Sequence, residues 1–450
     1  MDLRGRKVLV IGLGKTGTAS VRFLVQKGAS VVATDEKPLA ALKEALGAIA
    51  GLGAAVETKA YDAGALQGVD LVVPSPGVAP SSPVLAEALR RGVPVRSEIE
   101  IAYRFLRPPV IAITGTNGKT TVTTLIGKIL TESGLRVFVG GNIGEPLIGY
   151  AGGSREDDMV VAEISSFQLQ WIEDFRPRVA ILLNVTCDHV DYHGSFAEYR
   201  RAKERIFENM GPSDLAVLNA DDAGTERLAR VLRTRIQCFS TEQRPAAGMF
   251  LQDGMMVRTG EDGDERYPAG MIRMPGRHNV ENVMAAVLAC RDCGAPPEAV
   301  RSAVSGFCGL AHRIEFAGEK KGVAFYDDSK GTNVGAVMRA VESFSRPVVL
   351  LLGGRDKEGD FETLAPLVRK KVKRLVIFGE ARRLIREKIG GIVETAEAAT
   401  LGEAVKAAYL GAVAGDAVLL SPGCASFDEF ADYAQRGDFF KKAVKELSDD

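Results

Sequence analysis

The segment "GTNGKTT", Gly115 to Thr121, packs two glycines, an asparagine, a lysine and three threonines between an apolar run, "PPVIAIT", and a helical pattern. A glycine-rich turn in that setting can aim consecutive backbone N–H groups at phosphate oxygens. The helix behind it brings its positive end to the same point. Lys119 would reach the β/γ-phosphates, and Thr120 would offer its hydroxyl to Mg²⁺. The full G-x-x-x-x-G-K-[ST] spacing asks for glycine five residues before Gly118, where Ile113 stands, so the loop is a shortened variant. The plain alternative is an ordinary strand–turn–helix connection. The strand before, the helix after and the Lys-Thr pair favour phosphate binding.

Phosphoryl chemistry also needs acids that hold a cation. Glu163 ends the apolar strand pattern "DMVVAE", as a metal-binding acid beside a phosphate loop should. The segment "CDHVDYHG" places Asp188, His189, Asp191 and His193 after another strand, and two of the chain's four histidines are here. This placement favours a metal or phosphate role for His189. For His193 a surface loop is an equal reading.

A second glycine cluster, "GLGKTG" from Gly12 to Gly17, follows the strand pattern "KVLVIG", and Asp35 lies eighteen residues past Gly17. Taken alone this G-x-G-x-x-G reads as a dinucleotide fingerprint. Backbone N–H groups in such a turn serve any diphosphate, so the base stays open.

The elements must bring these residues together. At 450 residues the chain should hold about three domains of ~150 residues each. Hydrophobic residues make up 46%, enough for several cores, and the formal net charge of −1 points to no nucleic-acid or membrane surface. An anionic ligand would need a locally built site. The six cysteines (Cys187, Cys238, Cys290, Cys293, Cys308 and Cys424) have no framework spacing, and Cys290-x-x-Cys293 has no second pair. They read as structural free thiols, in keeping with a reducing cytoplasm. The first apolar stretch is short and enters a glycine turn, so it reads as a strand and not a signal peptide. No stretch is long and apolar enough to span a membrane.

Residues 1 to about 97 alternate strand and helix patterns, implying a parallel sheet. A second unit begins near Ser97. Its strand patterns end in polar residues: Asn142, Glu163, Asn184 and Asn219. In open α/β sheets the ligand sits beyond the carboxyl ends of the strands. A third small α/β unit begins near Leu310.

Eight segments occur in order: "GTNGKTT", "AEISSFQL", "NVTCDHVDYHG", "YRRAKERIF", "PGRHNVENVMAA", "LAHRIEF", "DDSKGTNV" and "LLSPGCASFDEF". Over essentially the whole chain they are similar to the Mur ligases, ATP-dependent amide-forming enzymes of peptidoglycan precursor synthesis. The resemblance implies an α/β fold of three domains: a Rossmann-like UDP-substrate domain at 1–97, a phosphate-loop ATPase domain at 98–309, and a Rossmann-like amino-acid domain at 310–450. It implies that "GLGKTG" takes a uridine diphosphate. NAD is disfavoured by the second phosphate loop and by the lack of a hydride-transfer partner. It implies an acyl phosphate made from a carboxylate and ATP and then attacked by an amine. The implied substrates are UDP-N-acetylmuramoyl-L-alanine, D-glutamate and ATP, with two Mg²⁺ ions.

Carried over residue by residue, the resemblance gives ATP contacts to Gly115, Thr116, Asn117, Gly118, Lys119, Thr120, Thr121, Asn279, Asn282, Arg313 and Asp328. The UDP substrate falls to Gly14, Lys15, Thr16, Asp35, Glu36, Lys37, Ser75, Gly77, Asn142, Ser165 and Gln168. D-Glutamate falls to His189, Lys330, Thr332, Lys357, Ser426 and the Phe427 backbone. The metal ligands would be Thr120, Glu163, His189 and Lys203, the last as a carbamate; Lys119, His189 and Lys203 would carry the chemistry. By composition alone, Lys203 reads as a helix-surface lysine among Arg200, Arg201, Glu204 and Arg205. "DDSKGTN" matches the D-glutamate-adding pattern, where sister ligases have D-Y-G-H-H-P, D-Y-A-H-T-P or D-x-Y-N-A-N-P. The family also implies closure of domains over ATP. The rivals are a sister ligase or folylpolyglutamate synthase, an NAD-dependent oxidoreductase, and a regulatory nucleotide-binding module. The sequence implies a cytoplasmic enzyme, with a monomer favoured.

Overall fold

The computed structural model describes residues 1–57, 63–260, 263–357 and 359–448. The chain forms two compact units, one of Met1–Pro268 with Glu281–Val304, the other of Ala269–Val280 with Ser305–Asp450.

The first unit contains two sheets. The N-terminal sheet has the order Ala55–Glu57, Ser30–Thr34, Lys7–Ile11, Leu71–Pro74, all parallel. Its central strands are apolar along their length because helices must cover both faces of a parallel sheet. The second sheet has nine strands. In order they are Glu265–Pro268, Met255–Arg258, Gly248–Gln252, Arg235–Ser240, Leu215–Asn219, Val179–Leu182, Val110–Thr114, Asp158–Glu163 and Arg136–Gly141. The first two pairings, on either side of Met255–Arg258, are antiparallel and the rest parallel. The sequence reading did not anticipate the 248–268 extension: its strands are short, and Arg258, Glu265 and Arg266 interrupt the apolar pattern. One apolar core joins the two sheets, running from Leu3, Val8 and Phe23 to Ile148, Phe175 and Leu218.

Val110–Thr114 sits between Val179–Leu182 and Asp158–Glu163, where the chain's path reverses. That is the topological switch point, and the phosphate loop begins there. The helix that follows, Lys119–Glu132, buries Val122, Leu125, Ile126, Ile129 and Leu130. Their i, i+3, i+4, i+7, i+8 spacing is one helical face, and that face fixes the helix start under the loop.

The second unit carries a six-stranded sheet in the order Glu315–Lys320, Val323–Asp327, Ala417–Gly423, Val348–Gly353, Val372–Phe378, Glu394–Glu397. Its first strand is antiparallel. That strand, "EFAGEK", is half-exposed and polar, and it was not legible as a strand.

Candidate active site

The loop is shaped by its two glycines. Gly115 and Gly118 have φ of +151° and +90°, a region that side chains rarely enter. A Cβ at Gly118 would also run into Asn282 Oδ1, so Asn282 of the helix Arg277–Asp292 lies directly against the loop. The strand Val179–Leu182 supports the loop from behind through the residues that follow it. Thr116 N–H donates to the Asn184 carbonyl (2.8 Å), and Asn117 N–H to Asn184 Oδ1 (2.9 Å). The first intrahelical bond runs from Val122 N–H to the Gly118 carbonyl (3.0 Å), so the N–H groups of Lys119, Thr120 and Thr121 face the helix's open end. The Thr121 side chain is buried. Only its backbone is available to a ligand.

Around this loop the structure collects the chemical side chains. Lys119 Nζ donates to the carbonyls of Gly115 (2.8 Å) and Thr116 (2.9 Å). Thr120 Oγ1 donates to Glu163 Oε2 (2.8 Å), and Asn142 Nδ2 donates to Glu163 Oε1 (2.9 Å). Lys203, on the helix Phe196–Glu204, is only 2% exposed. The surface reading of this lysine is therefore wrong, and the helix turns it inward. Its Nζ donates to the Gly115 carbonyl (2.9 Å) and lies 4.6 Å from the centre of the Tyr199 ring. Burial, and then the nearby Lys119 ammonium, hold its pKa well below the ordinary lysine value.

His189 caps a short helix, Val190–His193, with a left-handed φ of +52°. A bulky residue in that conformation is held there by its surroundings. Its ring packs edge-on to Phe167 at 4.9 Å, with Nε2 3.7 Å from Asp188 Oδ2. His193 instead pairs with Ser166 Oγ (3.0 Å) and stacks on Phe167. The Asp191 side chain lies outside the described residues. Sequence reasoning missed Tyr199, whose hydroxyl meets Thr116 Oγ1 (3.1 Å). Its i, i+4 spacing from Lys203 was the available signal.

The second glycine cluster has its own geometry. A Cβ on Gly17 would collide with the Gly12 carbonyl, whereas one on Gly14 would meet open space. Gly17 is a packing need, whereas Gly14 leaves open space beside the turn. Asp35 is buried, and both its oxygens accept backbone N–H groups, from Leu13 (2.7 Å) and Lys37 (2.9 Å). Ser75 Oγ donates to the Gly12 carbonyl (2.9 Å), and Lys15 Nζ to the Gly144 carbonyl (2.6 Å). Thr16 is partly buried, while Glu36, Lys37 and Gly77 are exposed beside this turn. Ser165 and Gln168 form a capping box on the helix Ser166–Leu169.

In the second unit, Asp328 is buried and accepts from Ser421 Oγ (2.7 Å). Burial pushes its carboxyl up to about 7, against the pull of Arg313. Lys330 Nζ lies 3.7 Å from the Tyr433 ring centre, and Thr332 N–H donates to the Lys330 carbonyl (2.9 Å). Arg436, which no sequence signal singled out, is buried. It donates to Ser329 Oγ (2.9 Å) and to the carbonyls of Ser329 (2.8 Å), Ala425 (3.2 Å) and Cys424 (3.1 Å). It therefore locks "DDSK" to the segment containing Ser426. Ser426 is buried, whereas Phe427 and Lys357 are exposed. Asn279 Nδ2 donates to the Pro275 carbonyl (2.7 Å). All six cysteines are free thiols, and Cys290 and Cys424 are buried.

Parallel sheets with glycine-rich loops at their switch points and a Lys-Thr-Glu cluster beside one of them are the framework of an α/β phosphate-binding protein. Family comparisons match residues 6–97 to "Mur ligase MurD-like, N-terminal domain", 113–290 to "Mur ligase middle domain" and 312–424 to "Mur ligase, glutamate ligase domain". A UDP-N-acetylmuramoylalanine–D-glutamate ligase of Syntrophus aciditrophicus is 58% identical over 447 residues, covering 99% of each chain. The enzyme of that name from Geotalea daltonii is 45% identical over 449 residues, covering 100% of this chain and 99% of its own. Among solved structures, a pseudomurein peptide ligase type C from Methanothermus fervidus shares the fold with a TM-score of 0.62 at 18% identity, covering 99% of this chain and 100% of that one. A MurF ligase from Thermotoga maritima in complex with ADP has a TM-score of 0.61 at 16% identity, covering 99% and 97%. The chain belongs to the Mur ligase family, and it is an ATP-dependent ligase of peptidoglycan precursor synthesis.

Proposed function

We propose that this ligase joins D-glutamate to UDP-N-acetylmuramoyl-L-alanine through an acyl phosphate, in the cytoplasm and as a monomer. Among the described residues, no helix is long and apolar enough to cross a membrane. Three sheets and three matched segments support a division at 97/98 and 309/310. The observation that carries the reading is the meeting of Thr120, Glu163 and Asn142 at the mouth of the phosphate loop. The names of the relatives and the Lys330-Gly331-Thr332 match support D-glutamate as the amine.

The loop fits a triphosphate. The N–H groups of Lys119, Thr120 and Thr121 lie at the open end of the helix, and the buried Asn117 Nδ2 is a donor with no protein partner. Thr120 and Glu163 are hard oxygen donors suited to Mg²⁺, and Lys203 as a carbamate with His189 would hold a second ion. Bound Mg²⁺ would screen the repulsion between the carboxylate and the γ-phosphate. Lys119 would neutralise charge on the transferred phosphoryl group, and the loop N–H groups would hold it in line. The alanyl carboxylate oxygen bonds to the γ-phosphorus and ADP leaves. The D-glutamate amine then attacks the carbonyl carbon and phosphate leaves.

Gly14, Lys15, Thr16, Asp35, Glu36, Lys37, Ser75 and Gly77 are assigned to UDP, and Asn142, Ser165 and Gln168 to the muramoyl end. Asn279, Asn282, Arg313 and Asp328 are assigned to ATP. Lys330, Thr332, Lys357, Ser426 and the Phe427 backbone are assigned to D-glutamate. Phosphate release, measured over a panel of amino acids, tests the reading. Release should require both UDP-N-acetylmuramoyl-L-alanine and D-glutamate, and a different amino acid in that role would overturn it.

A further inference from the structure

Glu98 opens the helix Glu98–Tyr103 and is 1% exposed. A buried carboxyl is costly unless it is hydrogen-bonded, and this one is bonded on both oxygens. Oε1 accepts from Ile148 N–H at 2.7 Å, and Oε2 accepts from Gln168 Nε2 at 3.3 Å. The Leu147 N–H adds to the support, and burial raises the carboxyl's pKa to about 7. Neither partner belongs to its own helix. Ile148 lies on Leu147–Ala151, just past the turn that holds Asn142, and Gln168 is half of the capping box with Ser165.

The consequences run in two directions. The Gln168 amide turns its NH₂ to Glu98, so its Oε1 is left to accept from Ser165 N–H (2.9 Å) and Ser165 Oγ (2.8 Å). Ser165 Oγ gives its own proton inward to Gln168 and accepts from the Gln168 N–H (3.3 Å), so Gln168 fixes its orientation. On the other side, the 141–146 turn is held at Gly144 by Lys15 (2.6 Å), across itself by the Gly141 N–H on the Glu145 carbonyl (2.8 Å), and just past its end by Glu98 on Ile148, while the Asn142 N–H rests on the Glu163 carbonyl (2.8 Å).

We propose that Glu98 is a positioning residue of the muramoyl subsite, its carboxylate setting Ser165 through Gln168 and fixing, through Ile148, the helix that follows the Asn142 turn. This rests on the assignment of Asn142, Ser165 and Gln168 to the UDP substrate. Both neighbours of Glu98 are donors, and in its ionised form, above about pH 7, this side chain offers two acceptors and no proton to give. An amide of the same shape must face one donor with another.

Glu98→Gln tests this. Leaving one buried donor unsatisfied should raise the KM for UDP-N-acetylmuramoyl-L-alanine roughly tenfold or more, with the KM for ATP within about twofold of wild type. Thermal unfolding and ADP binding of the variant report the fold separately. An unchanged KM for the UDP substrate, or both KM values rising together, would overturn the proposal. Wild-type enzyme that fails to bind UDP-N-acetylmuramoyl-L-alanine would refute the substrate assignment first, and this proposal with it.

Discussion

Lys119 and Lys203 donate to the same carbonyl, that of Gly115, at 2.8 and 2.9 Å. Two ammonium groups on one oxygen repel, and the more deeply buried of them, Lys203, is the one whose charge is disfavoured. A neutral amine at that point can add CO₂, releasing a proton and leaving an anionic carbamate that suits Mg²⁺. Lys203→Ala should therefore be nearly inactive, with activity partly restored by acetate or formate. Wild-type protein equilibrated with ¹³C-bicarbonate should show a carbamate carbon signal by NMR; full activity in the alanine variant would rule the role out. Lys119→Ala should keep its fold by circular dichroism and lose at least ~10²-fold in turnover, as expected for one preorganised cation. Lys330 is the cation of "DDSKGTN" and rests on the face of Tyr433. Lys330→Ala should raise the KM for D-glutamate far more than that for ATP, by about 2–5 kcal/mol in kcat/KM. Equal effects on the two would move Lys330 into another role.

At the scale of elements, the strand–loop–helix around Val110–Thr114 was legible because an apolar strand, a glycine turn and an i, i+3, i+4 helix face leave few alternatives. The 248–268 hairpin extension and the Glu315–Lys320 strand were not, because sheet-edge strands are set by their partners more than by pattern. The inward turn of Lys203 was also invisible in composition, since its neighbours Arg200, Arg201, Glu204 and Arg205 are all charged. Glu98 was hidden for a different reason: its partners lie 50 and 70 residues away. Its element carries a testable cost. The carboxyl's pKa is raised from 4.5 to about 7 by burial. A raised pKa means that the folded state binds the extra proton. Stability from this group is therefore full below about pH 4.5 and is lost as pH rises through 7, by about 3 kcal/mol in all. Thermal unfolding from pH 5 to 8 should show wild type losing stability relative to Glu98→Gln as pH rises. A constant difference between the two would contradict the burial account.

For the whole molecule, the ordered motifs carried the family and the α/β class because five of the eight sit at the carboxyl ends of strands, where sheet topology leaves an opening. What sequence could not supply was the supporting structure: Asn184 behind the loop, Tyr199 beneath Lys203, and Arg436 tying four groups of the second unit together. The contacts of Asn184 with the loop and of Arg436 with Ser329 join residues far apart in the chain, and no local spacing announces them, whereas Tyr199 stands one helical turn before Lys203. The central claim is that this framework activates a carboxylate by phosphorylation before the amine attacks. It is tested most directly with UDP-N-acetylmuramoyl-L-alanine carrying ¹⁸O in its alanyl carboxylate, by mass spectrometry of the phosphate released in the presence of ATP and D-glutamate. Each released phosphate should carry one oxygen from the carboxylate, because the bond made to phosphorus stays intact when the amine displaces phosphate. Product formed with no label in the phosphate would contradict it.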